Sequence, residues 1–388
     1  MIRTYFVGVS IIGLLPSRPP LDKNIDTGTP LGIRQLLSRS ALPIHGGSFM
    51  KCHVIVRTVG PFILAGLLGA VLVAPLHGAE KIKITVPVPS TTFAPLYHAQ
   101  AAGYFTDEGL EVEIIVVPGS GSLKAVFSRD AHFALAPGTH QLVAYEHGQR
   151  LVAVMSILTR LSVNIVMHRD VAKERGITEK SPLADKIRAL KDLKISGFTA
   201  GAFGHQIIVH YLLKAGLDPQ KDIQIVGLGT APALLMALER RQIDAFVMGT
   251  PLPEAAAARG FGVMVVDNSA GEDPDFAEFM MDVLMAPPET VKQRPELIRK
   301  LVRALLRSNA WLLDHPAEDA LPAMRPVLGR VDDSVILSGI QKVRLGIPRN
   351  GRITERAVLL TQEFLRRVGA IKSVIPYDQV VTNEFLPR

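Results

Sequence analysis

The chain has 388 residues, 48% hydrophobic and 20% charged, which indicates a globular protein long enough for more than one core. Its formal charge of +7 lies mainly in residues 1–79, because the remaining residues hold 36 basic and 34 acidic side chains. The sequence after residue 79 has no basic stripe with interleaved aromatics, which argues against nucleic-acid binding. Its single cysteine, Cys52, also lies early, so a mature chain beginning near residue 80 could form no disulfide, thiolate metal site or cysteine nucleophile.

The N-terminal region has the order of a secretory signal. A short basic stretch at residues 50–57 precedes an uncharged apolar run over 58–75, and small residues follow before residue 80. A membrane anchor is the alternative, but this run is shorter than the ~20 apolar residues of a span. We predict a signal peptide over 50–79, export to the periplasm, and a non-structural extension over 1–49 that is either untranslated or a tail.

The remaining sequence alternates strand-like and helix-like segments in chain order. This alternation predicts an α/β fold with mostly parallel sheets and helices on their faces. The segment at 125–134 resembles the one at 237–246, which suggests two similar lobes. Strands are predicted at 81–86, 110–117, 132–136, 193–198, 223–226 and 243–248, and helices at 96–102, 122–128, 206–215, 231–240, 289–294, 295–313 and 354–368, with another starting at 315–318.

Several short motifs occur along the chain. They are AGYFTDEGLEVE at 102–113, DLK at 192–194, AGLDP at 215–219, QIDAF at 242–246, and NAW at 309–311 followed by HPAE at 315–318. In this order the sequence resembles NitT/TauT-type periplasmic binding proteins, the NMT1/THI5-like and SsuA-like group, over about residues 81–370. It departs from that pattern at Arg129 and Arg241, where the family usually has glycine, and at Gly119-Ser120-Gly121, which replaces a purer glycine run.

The resemblance implies a two-lobed type II binding-protein fold. Lobe 1 would comprise residues 80–160 and 265–388, and the inserted lobe 2 residues 161–264. The family implies a monomeric, non-enzymatic protein that captures a small polar or anionic organic molecule of the sulfonate, taurine or nitrate type. It would deliver this ligand to the permease of an ABC importer, without a cofactor.

The candidate binding residues other than Arg160 lie in loops after predicted strands, because ligands of open α/β sheets sit beyond the carboxyl ends of the strands. Arg160 lies near the first crossover between the lobes and could neutralise an acidic ligand group. Helix N-termini there offer free N–H groups, which suit anions. Caps and simple turns are the alternative role for the loop residues, and a solvated surface arginine is the alternative for Arg160. The candidates are Ser90, Thr91, Thr92, Phe93, Gly119, Ser120, Gly121, Thr139, His140, Arg160, Ala202, Phe203, Gly204, His205 and Thr250.

Other functions have weaker support in the sequence. A thiamine-pyrimidine biosynthetic enzyme of the same family would need a cysteine-rich motif, and no cysteine follows Cys52. A nucleophile elbow, a zinc-protease motif and a dinucleotide-binding glycine set are also missing from the sequence. His205 and His210 are poorly spaced for one helix face, so no metal site is predicted. A thiamine-pyrimidine binding protein and a non-transport solute sensor remain open.

Overall fold

The computed structural model describes residues 78–199 and 201–387. The predicted extension and almost all of the predicted signal peptide therefore lie outside the described residues. The strands are β1 (Glu80–Val86), β2 (Leu110–Val116), β3 (Phe133–Pro137), β4 (Val152–Leu158), β5 (Val163–His168), β6 (Lys194–Ser196), β7 (Gln224–Ile225), β8 (Ala245–Gly249), β9 (Gly262–Val266) and β10 (Asp282–Ala286).

Helices cover the faces of these strands. They are α1 (Ala94–Ala101), α2 (Tyr104–Asp107), α3 (Gly121–Phe127), α4 (Gly138–Glu146), α5 (Arg169–Glu174), α6 (Leu183–Arg188), α7 (Phe203–Lys214), α8 (Ala231–Glu239), α9 (Leu252–Ala258), α10 (Pro288–Gln293), α11 (Pro295–Asp314), α12 (Leu321–Leu328), α13 (Asp333–Arg344) and α14 (Glu355–Arg367). No helix of the described ranges is both long and apolar enough to cross a bilayer.

The strands form two five-stranded sheets of the same design. The first has the order β2-β1-β3-β10-β4 and the second β7-β6-β8-β5-β9. The α/β fold class with two lobes is confirmed, but each sheet is mixed rather than mostly parallel. In the first sheet β1 pairs in parallel with β2 and β3, whereas β10 runs antiparallel to β3 and β4. The second sheet has two parallel and two antiparallel pairings as well.

The antiparallel strands arise where the chain passes between the sheets. β4 leads into β5 of the second sheet, and β9 leads back to β10 of the first, so neither passage is a strand-helix-strand unit. The residues of β10 are all buried, and those of β4 are buried after Val152. Such uniformly apolar runs lack the alternation that identifies a half-exposed strand, which is why the sequence prediction did not include them.

Local signals position the main helices. Pro295 stands in the first turn of α11, where its missing N–H leaves no hydrogen bond unmade. The Thr354 hydroxyl accepts a hydrogen bond from the Ala357 N–H and begins α14. α11 packs on β4 of the first sheet, with Leu301 and Leu305 fully buried, and α14 packs on α4 and α7.

Buried ion pairs join parts of the chain that belong to different sheets. The Lys342 ammonium in α13 lies 2.8 Å from an Asp267 carboxylate oxygen, just after β9, and 3.2 Å from a Glu254 oxygen in α9. Burial raises the pKa of Glu254, and the adjacent Lys342 charge opposes that rise. Because Glu254 is almost fully buried, this pair makes α13 part of the connection between the sheets.

Two arginines stand at equivalent turns of the two internally similar segments. Arg129 and Arg241 have positive φ angles of 66° and 55°, the left-handed region in which glycine has no steric penalty. Each follows a helix of the internally similar segments, α3 and α8. Glycine would adopt this conformation without strain, and this chain tolerates the strain of a side chain at both turns.

We expect Arg129→Gly to raise the free energy of unfolding. Relief of the left-handed strain, about 1–2 kcal/mol, exceeds the entropy that glycine adds to the unfolded chain, about 0.5–1 kcal/mol. Urea unfolding would measure a gain of roughly 0.5–1 kcal/mol. Arg129→Ala is the matched control, because it removes the same charge and keeps the strain; equal effects of alanine and glycine would contradict the explanation.

Candidate functional site

A cavity of about 600 Å³ lies between the two sheets. Loops after β1, β2 and β3 form one side, and the loop after β6 and the last residues of β8 form the other. Because β10 is antiparallel, its first residue lies at this same edge, with Asp282 opposite Pro137, the last residue of β3. The cavity therefore collects loop residues from both sheets together with the start of one buried strand.

Most of the predicted loop residues line this cavity. From the first sheet these are Ser90, Thr92, Phe93, Gly119, Ser120 and His140, and from the second sheet Ala202, Phe203 and Gly204. The predicted residues outside the lining are Thr91, Gly121, Thr139, Arg160, His205 and Thr250.

Thr91 and Thr250 lie outside the cavity lining but connect the segments that form its two sides. Their hydroxyl oxygens are 2.6 Å apart, and the Ser90 hydroxyl donates to the Thr250 carbonyl oxygen at 2.6 Å. Both threonines are fully buried. These hydrogen bonds hold the turn after β1 against the end of β8, so the two threonines position lining residues of both sheets.

Arg160 has a different environment. Its guanidinium packs against Gly271, and its side-chain stem packs against Gly346, in the passage between the sheets. The cavity thus has no arginine among its described lining residues. Lys124 is the lining lysine, and its side chain is exposed.

Glycines let the second-sheet wall form. A Cβ added to Gly197, just after β6, would lie 2.4 Å from the His205 backbone nitrogen and from the Gly204 carbonyl carbon. Only glycine permits this contact, which brings the first turn of α7 directly against the strand end. Phe198 follows with a φ of 81°, an unusual conformation for an aromatic residue, and its side chain lines the cavity.

Apolar side chains make up much of the cavity wall. Phe93, Phe198 and Phe203 contribute rings, and Phe203 stacks on Phe279 with centroids 6.1 Å apart. Sequence reasoning missed further lining residues, namely Lys124, Phe127, His147, Gln149, Phe198, Gln206 and Asp282. The signal that could have found Asp282 is a single acid opening the apolar run DVLMA.

Several buried polar atoms without partners belong to residues of the cavity lining. In the described chain, both carboxyl oxygens of Asp282, Nδ1 of His140 and Oε1 of Gln206 have no hydrogen-bond partner. Unsatisfied buried polar groups are rare because each costs about 1–3 kcal/mol. Three such groups in one lining indicate a site prepared for a ligand.

Burial controls the protonation of two of these groups. It raises the pKa of Asp282 to about 8, an effect that the nearby Thr92 hydroxyl opposes without making a hydrogen bond of normal geometry. It lowers the pKa of His140 to about 4. Near pH 7, Asp282 is therefore a neutral acid that can donate a proton to a hydrogen bond, and His140 is a neutral imidazole.

A separate polar cluster lies outside this cavity. His210, Asp273 and Asp275 bring their potential ligand atoms within 4.8 Å of one another. The Lys214 ammonium donates to Asp273 at 2.7 Å and to Asp275 at 3.0 Å, and Arg367 donates to Asp275 at 2.9 Å. The cations therefore already neutralise the carboxylates, which makes this cluster an ion-pair connection between α7 and α14.

Two α/β lobes with a cavity between them define the fold of type II periplasmic binding proteins. The family model described as NMT1/THI5 like matches residues 90–319. The chain belongs to the NMT1/THI5-like family.

Named relatives agree with this class. The putative binding protein YtlA of Bacillus subtilis is 22% identical over 79% of this chain and 89% of its own. The riboflavin-binding protein RibY of Chloroflexus aurantiacus is 26% identical over 77% of this chain and 84% of its own. The structure of the periplasmic aliphatic sulphonate binding protein SsuA from Escherichia coli superposes with a TM-score of 0.60 at 16% identity, covering 79% of this chain and 99% of that chain.

Asp282→Asn tests whether the buried carboxyl is protonated. The native state holds its proton up to about pH 8, whereas an unfolded aspartate releases it near pH 3.9. The unfolded state therefore binds fewer protons in this window, so this group lowers wild-type stability by about 1.4 kcal/mol per unit of rising pH.

The asparagine variant lacks this titration and keeps the shape of the side chain. In urea unfolding at pH 5, 6 and 7, the free energy of unfolding of the variant should increase relative to that of the wild type at each step in pH. A stability difference that is constant across these pH values would contradict a protonated Asp282.

Proposed function

We propose that this protein is the substrate-binding component of an ABC importer, which captures a small polar organic molecule between its lobes and delivers it to a membrane permease. The observation that carries the proposal is the cavity between the sheets, whose lining holds unpartnered buried polar groups. Membership of the NMT1/THI5-like family and the two named binding-protein relatives support it. The proposal places the protein in the periplasm or outside the cytoplasm.

Binding rather than catalysis fits the chemistry of the lining. A nucleophilic hydroxyl needs an adjacent base, and the Ser90 hydroxyl instead donates to the Thr250 carbonyl. Nδ1 of His140 has no hydrogen-bonded carboxylate among the described residues to orient it. The lining offers apolar surface and individual hydrogen-bonding groups, which are sufficient to bind and release a small molecule.

The proposed lobes follow the strand order. Lobe 1 comprises residues 80–160 and 265–388, and lobe 2 residues 161–264, so that each lobe carries one five-stranded sheet, except that the last two residues of β9 fall beyond the lobe 2 boundary. The chain crosses between them twice, after β4 and after β9. Closure on a ligand would be a hinge motion at these two passages.

A thermal-shift screen of the purified protein tests this function. The panel holds taurine, alkane- and arylsulfonates, nitrate, aromatic carboxylates, thiamine pyrimidines and riboflavin. A ligand present at 100 times its dissociation constant adds about 2.7 kcal/mol to the free energy of unfolding, which raises the melting temperature measurably. A folded protein that responds saturably to no small molecule of this or a wider panel would count against a binding function.

Ala202→Trp tests the location of the site. Ala202 caps α7 with an extended backbone, φ −65° and ψ 161°, which any L-residue can adopt. The indole would occupy the cavity, so the affinity for a compound found in the screen should fall at least about tenfold, or ~1.4 kcal/mol. Ala102→Trp is the matched control, because Ala102 is exposed and outside the cavity lining. Equal binding by both variants, measured by calorimetry, would place the site elsewhere.

A further inference from the structure

The start of β10 places a carboxyl group in the wall of the cavity. Asp282 pairs with Pro137 of β3 and with Leu158 of β4, so neighbours on both sides hold its backbone. Its side chain is fully buried and belongs to the cavity lining. Neither carboxyl oxygen has a hydrogen-bond partner in the described part of the chain.

No positive charge compensates this acid in the described ranges. The titratable groups that share the lining with it are Lys124, His140 and His147. Lys124 is exposed at the cavity edge, and burial keeps His140 neutral. An unpaired carboxylate in such surroundings would be strongly disfavoured, so the group takes up a proton.

A protonated carboxyl group has a definite recognition pattern. Its O–H is a donor and its C=O is an acceptor, side by side on one carbon. The complement is a group with an acceptor next to a donor, such as a carboxamide or a lactam. A carboxylate or sulfonate ligand would place one oxygen on the O–H and another against the carbonyl oxygen, where two lone pairs repel. The buried lining offers no full positive charge to offset that repulsion.

We propose that Asp282 is the residue that determines ligand specificity, acting as a neutral acid, and that the ligand is an uncharged ring compound bearing a carboxamide or lactam edge. This inference rests on the proposed binding function and narrows its ligand class. The rings of Phe93, Phe198 and Phe203 provide a wall suited to an aromatic or conjugated ring. Oε1 of Gln206 and Nδ1 of His140 are free for a second polar group on the same ligand.

Matched probes separate the two ligand classes. Benzamide, naphthalene-2-carboxamide and anthracene-2-carboxamide are each compared with the carboxylate and the sulfonate of the same ring, at pH 7. Calorimetry on the purified protein measures the dissociation constants. We expect at least one amide to bind at least tenfold more tightly than both anions of its ring, because only the amide matches the carboxyl group in donors and acceptors.

Two substitutions at one position then test the role of Asp282. Asp282→Leu removes both the donor and the acceptor and should raise the dissociation constant of the amide at least tenfold. Asp282→Asn keeps one donor and one acceptor, so its dissociation constant for the amide should stay within tenfold of the wild-type value. Circular dichroism and melting temperature establish that each variant is folded. Glu111→Gln makes the same chemical change as Asp282→Asn on an exposed side chain of β2 and should leave binding unchanged.

The outcomes distinguish this inference from the proposed function. Tighter binding of the anions, or equal amide binding by the folded Asp282→Leu variant and the wild type, would overturn the ligand class and leave a binding protein. The absence of binding by every amide would also overturn the class. If no compound of the thermal-shift screen raises the melting temperature either, the binding function itself is contradicted.

Discussion

The hydrogen bonds between the turn after β1 and the end of β8 are the contact on which the cavity depends. Ser90 and Thr91 belong to the chain segment that leaves the first sheet, and Thr250 to the segment that leaves the second. All three are buried, so water does not compete for these bonds. They join the two strand edges at this point, so that the loops of the two sheets face each other across the cavity.

Sequence patterns were sufficient for the parts of the fold that have one polar face. The amphipathic α11 and α14 and the alternating β1 were predicted close to their observed bounds, because exposure on one side leaves a period in the sequence. The loops after β1, β2, β3 and β6 were predicted as binding loops for a topological reason, and most of their residues do line the cavity.

The remaining lining depends on contacts that no local pattern encodes. Asp282 enters the site because β10 returns from the other sheet and inserts antiparallel between β3 and β4, a pairing across more than 120 residues of sequence. Arg160 was a candidate for neutralising an acidic ligand group because it lies near the first crossover, yet its guanidinium packs on Gly271 in the passage between the sheets. The charge of the site therefore follows from tertiary pairing rather than from the composition of the loops.

Two residues of the cavity lining lower the stability of the folded chain. Asp282 keeps a carboxyl group in an apolar wall without a hydrogen-bond partner, and Phe198 keeps an aromatic residue at a positive φ. Neither feature improves the folding of the isolated chain, and both lie in the same cavity lining. An apolar residue at 282 would fill the start of β10 at lower cost, as it does at Val283 and Leu284. An acid at this position is explained if a bound molecule supplies the missing hydrogen bonds, because binding then offsets the cost of burying the unpartnered carboxyl group.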